Sequence, residues 1–418
     1  MTESAGAACA RPQSPGRAMP LPHNPVVARG PGALVQDPGS GIDLIPLGAE
    51  IVPYAIRLHG VEAESAEAFQ RALGVTGASA RLIERGDGSD VWIVANRQQL
   101  EATRTQLLAA PSALLRLAEE VAAALRAYHC EQFTLQCGSH RLECGPRPLI
   151  MGIVNCTPDS FFGASTAMGA AAIARAEAMV QEGADIVDVG GESTRPGGEP
   201  VDADTEITRV VPVIRALSAS LSVPVSVDTT KASVARAAID AGATLVNDIS
   251  GLLYDRELGA VIAAAGVPVV LMHMRGRPQE MYQQAIYHDV VAEVVGELRQ
   301  AVARAVDAGV DPEAIIVDPG IGFAKRTEHS LTLLGRLSEL RSLGRPIALG
   351  PSRKSFIGGV LDLPVEERLE GTAAAIAIAV HAGAHILRVH DVMAMRRVAD
   401  MAAAIRSEPR GSGVTRYF

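Results

Sequence analysis

The stretch Val223-Pro-Val-Ser-Val-Asp-Thr-Thr-Lys-Ala-Ser-Val-Ala-Arg-Ala-Ala-Ile-Asp-Ala-Gly-Ala-Thr-Leu-Val246 contains the fold in miniature. An apolar, β-branched run, Val223–Val227, stops at a carboxylate, Asp228. Residues 231–241 are Ala-rich with apolar positions at helical spacing, and Gly242 is a helix stop. Thr244–Val246 then opens a second apolar run, so the unit reads strand, helix, strand. Working outward, the same unit recurs. Strands are predicted at Leu149–Val154, Ile186–Val189, Val223–Val227, Thr244–Val246, Val267–Met272, Ala314–Val317, Ile347–Leu349 and Ile386–Val389. Helices are predicted over 169–182, 204–220, 231–241, 255–265, 289–308, 327–343, 366–382 and 391–406. Gly183, Gly266 and Gly309 repeat the stop signal. Eight β-then-α units within about 260 residues match a (β/α)8 TIM barrel. A doubly wound open sheet is disfavoured, because no GxGxxG opens the first helix.

The barrel occupies only part of the chain. Residues 1–42 are rich in Pro, Gly, Ala and Ser without periodicity and read as a disordered tail. Residues 43–130 read as a small α/β domain. Its predicted parts are a strand at Ile51–Leu58, a helix at Ser65–Leu73 capped by Ser65, and a hairpin of Ala80–Glu84 with Asp90–Ala95. Two helices follow, at Arg97–Leu108 and Ser112–Tyr128, the second capped by Ser112. Gln132–Cys137 and His140–Cys144 form a second hairpin around Gly138-Ser139. The barrel domain is placed at 131–410, and 411–418 form a short tail.

Composition narrows the function. Acidic residues outnumber basic ones, 47 to 38, for a net charge of −9, so a broad nucleic-acid or anionic-membrane surface is not expected. Hydrophobic content of 48% supports a large core. Cys9, Cys130, Cys137, Cys144 and Cys156 are widely spaced and odd in number, as expected of reduced thiols in a cytoplasmic protein. No run approaches a membrane span. HExxH, CxxC, Gly-x-Ser-x-Gly and the Walker A pattern are all missing, which disfavours zinc hydrolase, serine hydrolase and ATPase chemistry.

In a barrel of this kind the chemistry lies at the C-terminal strand ends. Those ends carry Asn155, Thr157, Asp159 and Ser160; Glu192, Ser193, Thr194 and Arg195; Asp228; Asn247 and Asp248; His273; Asp318, Phe323 and Lys325; Ser352, Arg353, Lys354 and Ser355; and Arg388, His390 and Asp391. The chain uses arginine for almost all its positive charge and keeps lysine only at Lys231, Lys325 and Lys354, each just past a strand. Arg195, Lys354, Arg388 and His390 suit phosphates or carboxylates. Asp228, Asn247 and Asp318 are acceptors suited to a flat ring bearing N–H donors, such as a pterin or purine. Asn155 offers one neutral oxygen, enough for Mg²⁺ when a phosphate supplies the rest.

Seven motifs in order resemble the dihydropteroate synthase family. They are Met151–Phe161, Asp188–Gly197, Val227–Lys231, Asn247–Ser250, Asp318–Phe323, Ser352–Ser355 and Arg388–Asp391. The resemblance covers about residues 132 to 408. It implies that para-aminobenzoate displaces diphosphate from 6-hydroxymethyl-7,8-dihydropterin diphosphate. It implies a pterin held by Asp228, Asn247, Asp318 and Lys354, and Mg²⁺ on Asn155. It puts the diphosphate on Arg388, His390 and Thr194, and the aminobenzoate among Arg195, Pro196, Phe323 and Ser355. Asp228, Lys354, Arg388 and His390 would carry the catalysis. A homodimer through the last barrel helices and action as a sulfonamide target are also implied. Three positions depart from the family pattern. Phe162-Gly163-Ala164-Ser165 replaces an acidic loop sequence, Ala324 stands where Gly is usual, and Pro351 precedes Ser352. A pterin-dependent methyltransferase acting on a corrinoid protein, and a pterin-binding protein without catalysis, are the alternatives. The methyltransferase would need the acceptor set without the cationic one.

Overall fold

The computed structural model describes residues 53–85, 88–157, 165–193 and 200–407. The chain divides into two compact units, Met1–Glu119 and Glu120–Phe418.

In the first unit β1 (Tyr54–Val61), β2 (Ser79–Arg85) and β3 (Gly88–Ala95) form an antiparallel sheet in the order β1-β3-β2. Helices α1 (Ala63–Val75) and α2 (Arg97–Gln106) accompany it. Ala66, Phe69 and Leu73 of α1 are buried, as are Val91, Ile93 and Ala95, which alternate along β3. The first strand runs beyond the predicted Leu58. A register shift between Leu58 and Val61 absorbs His59-Gly60, so pairing resumes where the alternation seemed to end. Ser65 does not cap α1, which starts earlier and has Glu62 at its N-cap. A cap that sequence reading missed stands on α2: Asn96 Oδ1 accepts from Gln99 N at 2.9 Å, and Gln99 Oε1 accepts from Asn96 N at 2.8 Å. Helix α3 (Ser112–His129) leads into the second unit, and Ser112 is its first residue rather than its cap.

In the second unit the hairpin β4 (Phe133–Cys137) and β5 (His140–Cys144) precedes eight parallel strands. These are β6 (Leu149–Asn155), β7 (Ile186–Gly190), β8 (Val225–Asp228), β9 (Leu245–Asp248), β10 (Val269–Met272), β11 (Ile315–Asp318), β12 (Ala348–Leu349) and β13 (Ile386–Val389). Their order is β11-β10-β9-β8-β7-β6-β13-β12, and a Val317–Ile347 bridge joins the two ends into a barrel. The surrounding helices are α4 (Ser165–Gln181), α5 (Ala203–Ser220), α6 (Ala232–Asp240), α7 (Leu258–Ala265), α8 (Val290–Asp307), α9 (Thr327–Gly335), α10 (Ser355–Leu361), α11 (Leu369–Ala382) and α12 (Val392–Ser407). The helix predicted over 327–343 breaks at Arg336 and continues as a 3₁₀ helix, Leu337–Leu343.

Alternation along each strand sorts the core into two layers. On β10, Val269 and Leu271 pack outward in the core shared with the helices, while Val270 faces the barrel interior. Leu135, Cys137, Leu142 and Cys144 of the hairpin join the interior cluster of Leu149, Met151, Ile186, Leu245, Val270, Ile316, Ala348 and Ile386. These residues lie at the N-terminal strand ends, so the hairpin seals the bottom of the barrel. Burying a leucine such as Leu135 there stabilises the fold by roughly 2 kcal/mol. The polar residues are left at the opposite end.

Candidate active site

Three strand ends converge on one guanidinium. Arg388, on β13, donates from Nε to Asp188 Oδ2 of β7 at 2.7 Å and from Nη2 to Asp228 Oδ2 of β8 at 2.5 Å. Asn247 of β9 donates from Nδ2 to the same Asp188 oxygen at 3.1 Å. Asp188 Oδ1 is buried without a partner among the described residues. Two carboxylates here share one cation. Burial therefore pushes Asp228 up to about 7, against the pull of Arg388 and with the help of Asp188. The same carboxylates hold Arg388 firmly protonated despite its burial.

Across the mouth lies a second group. Lys354 stands at the N-cap of α10, donates to the Ile321 carbonyl, and sits 4.2 Å from the centre of the Phe323 ring. Burial lowers the Lys354 ammonium to about 7, with Asp318 opposing and Arg388 assisting. Burial raises the carboxyl of Asp318, while Lys354 and the Gly320 N–H draw it down. The backbone between these side chains is tightly wound. Gly320, Gly322 and Ala324 all have positive φ, and a Cβ on Gly320 would lie 2.1 Å from the His273 carbonyl oxygen. Ala324, a small change by size, is therefore not small for the backbone. A left-handed alanine costs roughly 1–2 kcal/mol.

The third group fixes the remaining donors. Ser352 Oγ lies 3.0 Å from His390 Nδ1 and accepts from His390 N at 3.2 Å. Arg353, also at positive φ, forms a bidentate pair with Asp391, two contacts of 2.8 Å. Asn155 closes β6 beside Gly190 of β7. The described residues include no cluster of three or more His, Cys, Asp or Glu able to hold a metal ion. Asn155 supplies one neutral oxygen, which fits a cation whose other ligands come from a bound phosphate.

This geometry is a cup closed at the bottom, with Asp188, Asp228 and Asn247 gathered around Arg388 and with Lys354 near Asp318 and the Phe323 ring. A pterin binding enzyme family model matches residues 151–390. The dihydropteroate synthase of Synechocystis sp. is 48% identical over 277 residues, covering 65% of this chain and 94% of that one. The chain belongs to the dihydropteroate synthase family. Solved structures agree. Xanthomonas albilineans dihydropteroate synthase with 4-aminobenzoic acid superposes with a TM-score of 0.63 at 41% identity, covering 66% of this chain and all of that one. The same enzyme in complex with 7,8-dihydropteroate gives a TM-score of 0.60 at 40% identity, with the same coverage.

Within this dihydropteroate synthase barrel, Asp228, Asn247, Asp318, Phe323, Lys354 and Arg388 come together as described, and Ser352 holds His390. Ser355 opens α10, its Oγ 3.4 Å from the Tyr282 hydroxyl. Thr194, Arg195 and Pro196 lie outside the described residues, as do Asp159, Ser160 and the altered Phe162-Gly163-Ala164 loop. Other polar strand ends are structural. Asp248 accepts from Ser250 N, Ser250 Oγ and Leu252 N, shaping the turn after β9. Lys231 pairs with Glu192 and the buried Glu206. His273 and Lys325 are buried behind the mouth. Sequence reading missed Asp188 as a site residue, although a charge inside the apolar run Ile186–Val189 was the signal. It also missed Ser352 as the partner of His390.

Proposed function

We propose that the chain condenses 6-hydroxymethyl-7,8-dihydropterin diphosphate with para-aminobenzoate, giving 7,8-dihydropteroate and diphosphate in folate biosynthesis, with the roles that follow. The observation that carries the reading is the Arg388 guanidinium bridging Asp188 and Asp228 beside Asn247, opposite Lys354 on the Phe323 ring. Asp228, Asn247 and Asp318 accept from the pterin N–H groups, and Lys354 donates to it. Arg388, His390 and Thr194 take the diphosphate. Arg195, Pro196, Phe323 and Ser355 receive the aminobenzoate. Asn155 would hold Mg²⁺, which when bound supplies positive charge to the leaving diphosphate.

The methylene carbon–oxygen bond breaks and the electron pair leaves with diphosphate, whose charge Arg388 and His390 stabilise. Positive charge left on the pterin faces Asp228. The aniline nitrogen attacks that carbon and then loses a proton. Because the amine is a weak nucleophile, holding it in line and excluding water matter more than raising its basicity. Transfer to a corrinoid protein would leave the cationic set without a role.

A homodimer through the last helices is supported by exposed apolar residues on α11 and α12, namely Ile378, Met393, Met401 and Ile405. No described helix is long and apolar enough to cross a membrane.

The test is diphosphate release from the dihydropterin diphosphate with Mg²⁺, with and without para-aminobenzoate. Release that depends on aminobenzoate, with dihydropteroate as product, is expected. Pterin binding without release would overturn the reading in favour of a binding protein.

A further inference from the structure

Behind the mouth lies a buried polar chain that no step of the reaction uses. Lys325 is almost wholly buried. Its Nζ donates to His273 Nδ1 at 2.8 Å and to the Phe323 carbonyl at 3.0 Å. His273 Nε2 meets Glu297 Oε2 of α8 at 3.0 Å, and Arg275 pairs with both Glu297 and Glu293. The Arg275 guanidinium lies 4.1 Å from the centre of the Tyr287 ring, and the Tyr287 hydroxyl donates to the Ala324 carbonyl at 3.0 Å. Burial, with Lys325 alongside, drops His273 to about 4, so the ring is neutral and accepts from Lys325. Burial works against Glu297, but His273 and Arg275 hold it down at about 2, so the far end of the chain is anionic.

The two carbonyls held in this way flank Ala324. That residue is left-handed without being glycine, φ +48°. Immediately before it is Phe323, whose ring supports Lys354. The loop after β11 is thus bent against alanine's backbone preference and pinned from behind by two donors anchored to α8 and its approach.

We propose that Lys325, backed by His273 and seconded by Tyr287, is a positioning residue for the synthase reaction: it fixes the strained Phe323–Ala324 turn and so sets the Phe323 ring against Lys354 and the aminobenzoate. The proposal rests on the synthase reading and on Phe323 lining the aminobenzoate site. Lys325 touches neither substrate. It reaches the turn through the Phe323 carbonyl, while it also donates to the His273 carbonyl at 3.4 Å and its charge acts on Asp318, so the KM for the dihydropterin diphosphate is measured alongside that for para-aminobenzoate. A buried amine that only filled space would be replaceable by an apolar side chain of similar length without changing substrate constants.

The test compares Lys325→Met, Tyr287→Phe, Ala324→Gly and the Ala324→Gly/Lys325→Met double variant with the unaltered full chain, measuring dihydropteroate formation and melting temperature. Lys325→Met should raise the KM for para-aminobenzoate about tenfold, as small misplacements of a positioning group do. Tyr287→Phe, which removes one hydrogen bond, should raise it about threefold while the melting temperature falls by only a few degrees. Glycine at 324 accepts positive φ without strain, so the double variant should recover most of the lost KM. An unchanged KM in both Lys325→Met and Tyr287→Phe, or no recovery in the double variant, would overturn the proposal. If Lys325→Met fails to fold, Tyr287→Phe alone decides it. Failure of the synthase reading would look different, because the unaltered chain itself would form no dihydropteroate.

Discussion

Replacing Asp188 by Asn keeps the shape of the side chain and removes one of the two negative charges that share Arg388. The carboxylates are held by neighbouring nitrogens of the same guanidinium. Unit charges roughly 5 Å apart repel by roughly 3 kcal/mol at an effective dielectric constant near 20. That repulsion is equivalent to about two pH units. Asp228, held near 7 in the unaltered protein, should therefore titrate near 5 in Asp188→Asn. In the role proposed for it the Asp228 carboxylate works in the charged form, so kcat/KM for the dihydropterin diphosphate should fall on the acid side below about 7 in the unaltered chain. In the variant the same fall should come about two units lower. The weakened bond to Arg388 should cost about 1–3 kcal/mol of stability. A pH series of kcat/KM, with thermal melts at each pH, separates the two effects. An acid limb that stays in place, whatever happens to stability, would refute the idea that Asp188 raises Asp228 through a shared cation.

Two further outcomes follow from the same electrostatics. Lys354 is charged below about 7 and neutral above, so kcat/KM should also fall on the alkaline side. Arginine does not deprotonate in this range, so Lys354→Arg should lose that alkaline limb while losing at least about tenfold in rate, because its fork does not match a point donor; a retained limb would assign it to another group. At the closed end of the barrel, His385 accepts from Ile347 N through Nδ1 at 3.1 Å, and burial, with Arg406 and Arg341 nearby, lowers it to about 4. The unfolded imidazole takes its proton near 6.5, before the folded one, so stability falls as pH drops from about 6.5 to 4 and its loss levels off below, by about 3 kcal/mol in all. His385→Gln, which keeps an acceptor but does not titrate, should flatten that fall in urea denaturation series.

Much of this fold can be read along the chain because each β/α unit is local. The run Val223–Val227, the Ala-rich 231–241 and Gly242 announce strand, helix and stop without reference to distant residues; α6 lies within that reading, and β8 starts two residues later and runs one further, to Asp228. What escaped depends on partners far away. Nothing near Asp188 says that its oxygen meets a guanidinium 200 residues later. Lysine a few residues past a strand reads as a mouth residue, yet Lys325 turns inward to His273 while Lys354 faces Asp318, because the tight turn at Gly320–Ala324 reverses its direction. Helix α9 breaks at Arg336 although the apolar spacing continues. Arg336 there pairs with Glu339 and with Asp289 at the N-cap of α8.

The scarcity of lysine has a practical side. Lys231, Lys325 and Lys354 are the three side-chain amines of the whole chain. Lys231 is tied to Glu192 and Glu206, and Lys325 is enclosed. Lys354 has its free base available near neutrality. An amine-directed acylating reagent should therefore mark the protein at two places above all, the N-terminal α-amine and Lys354, and a peptide map tells them apart. Protection of Lys354 from acylation would report ligand occupancy directly, on the native chain, without a reporter group being introduced.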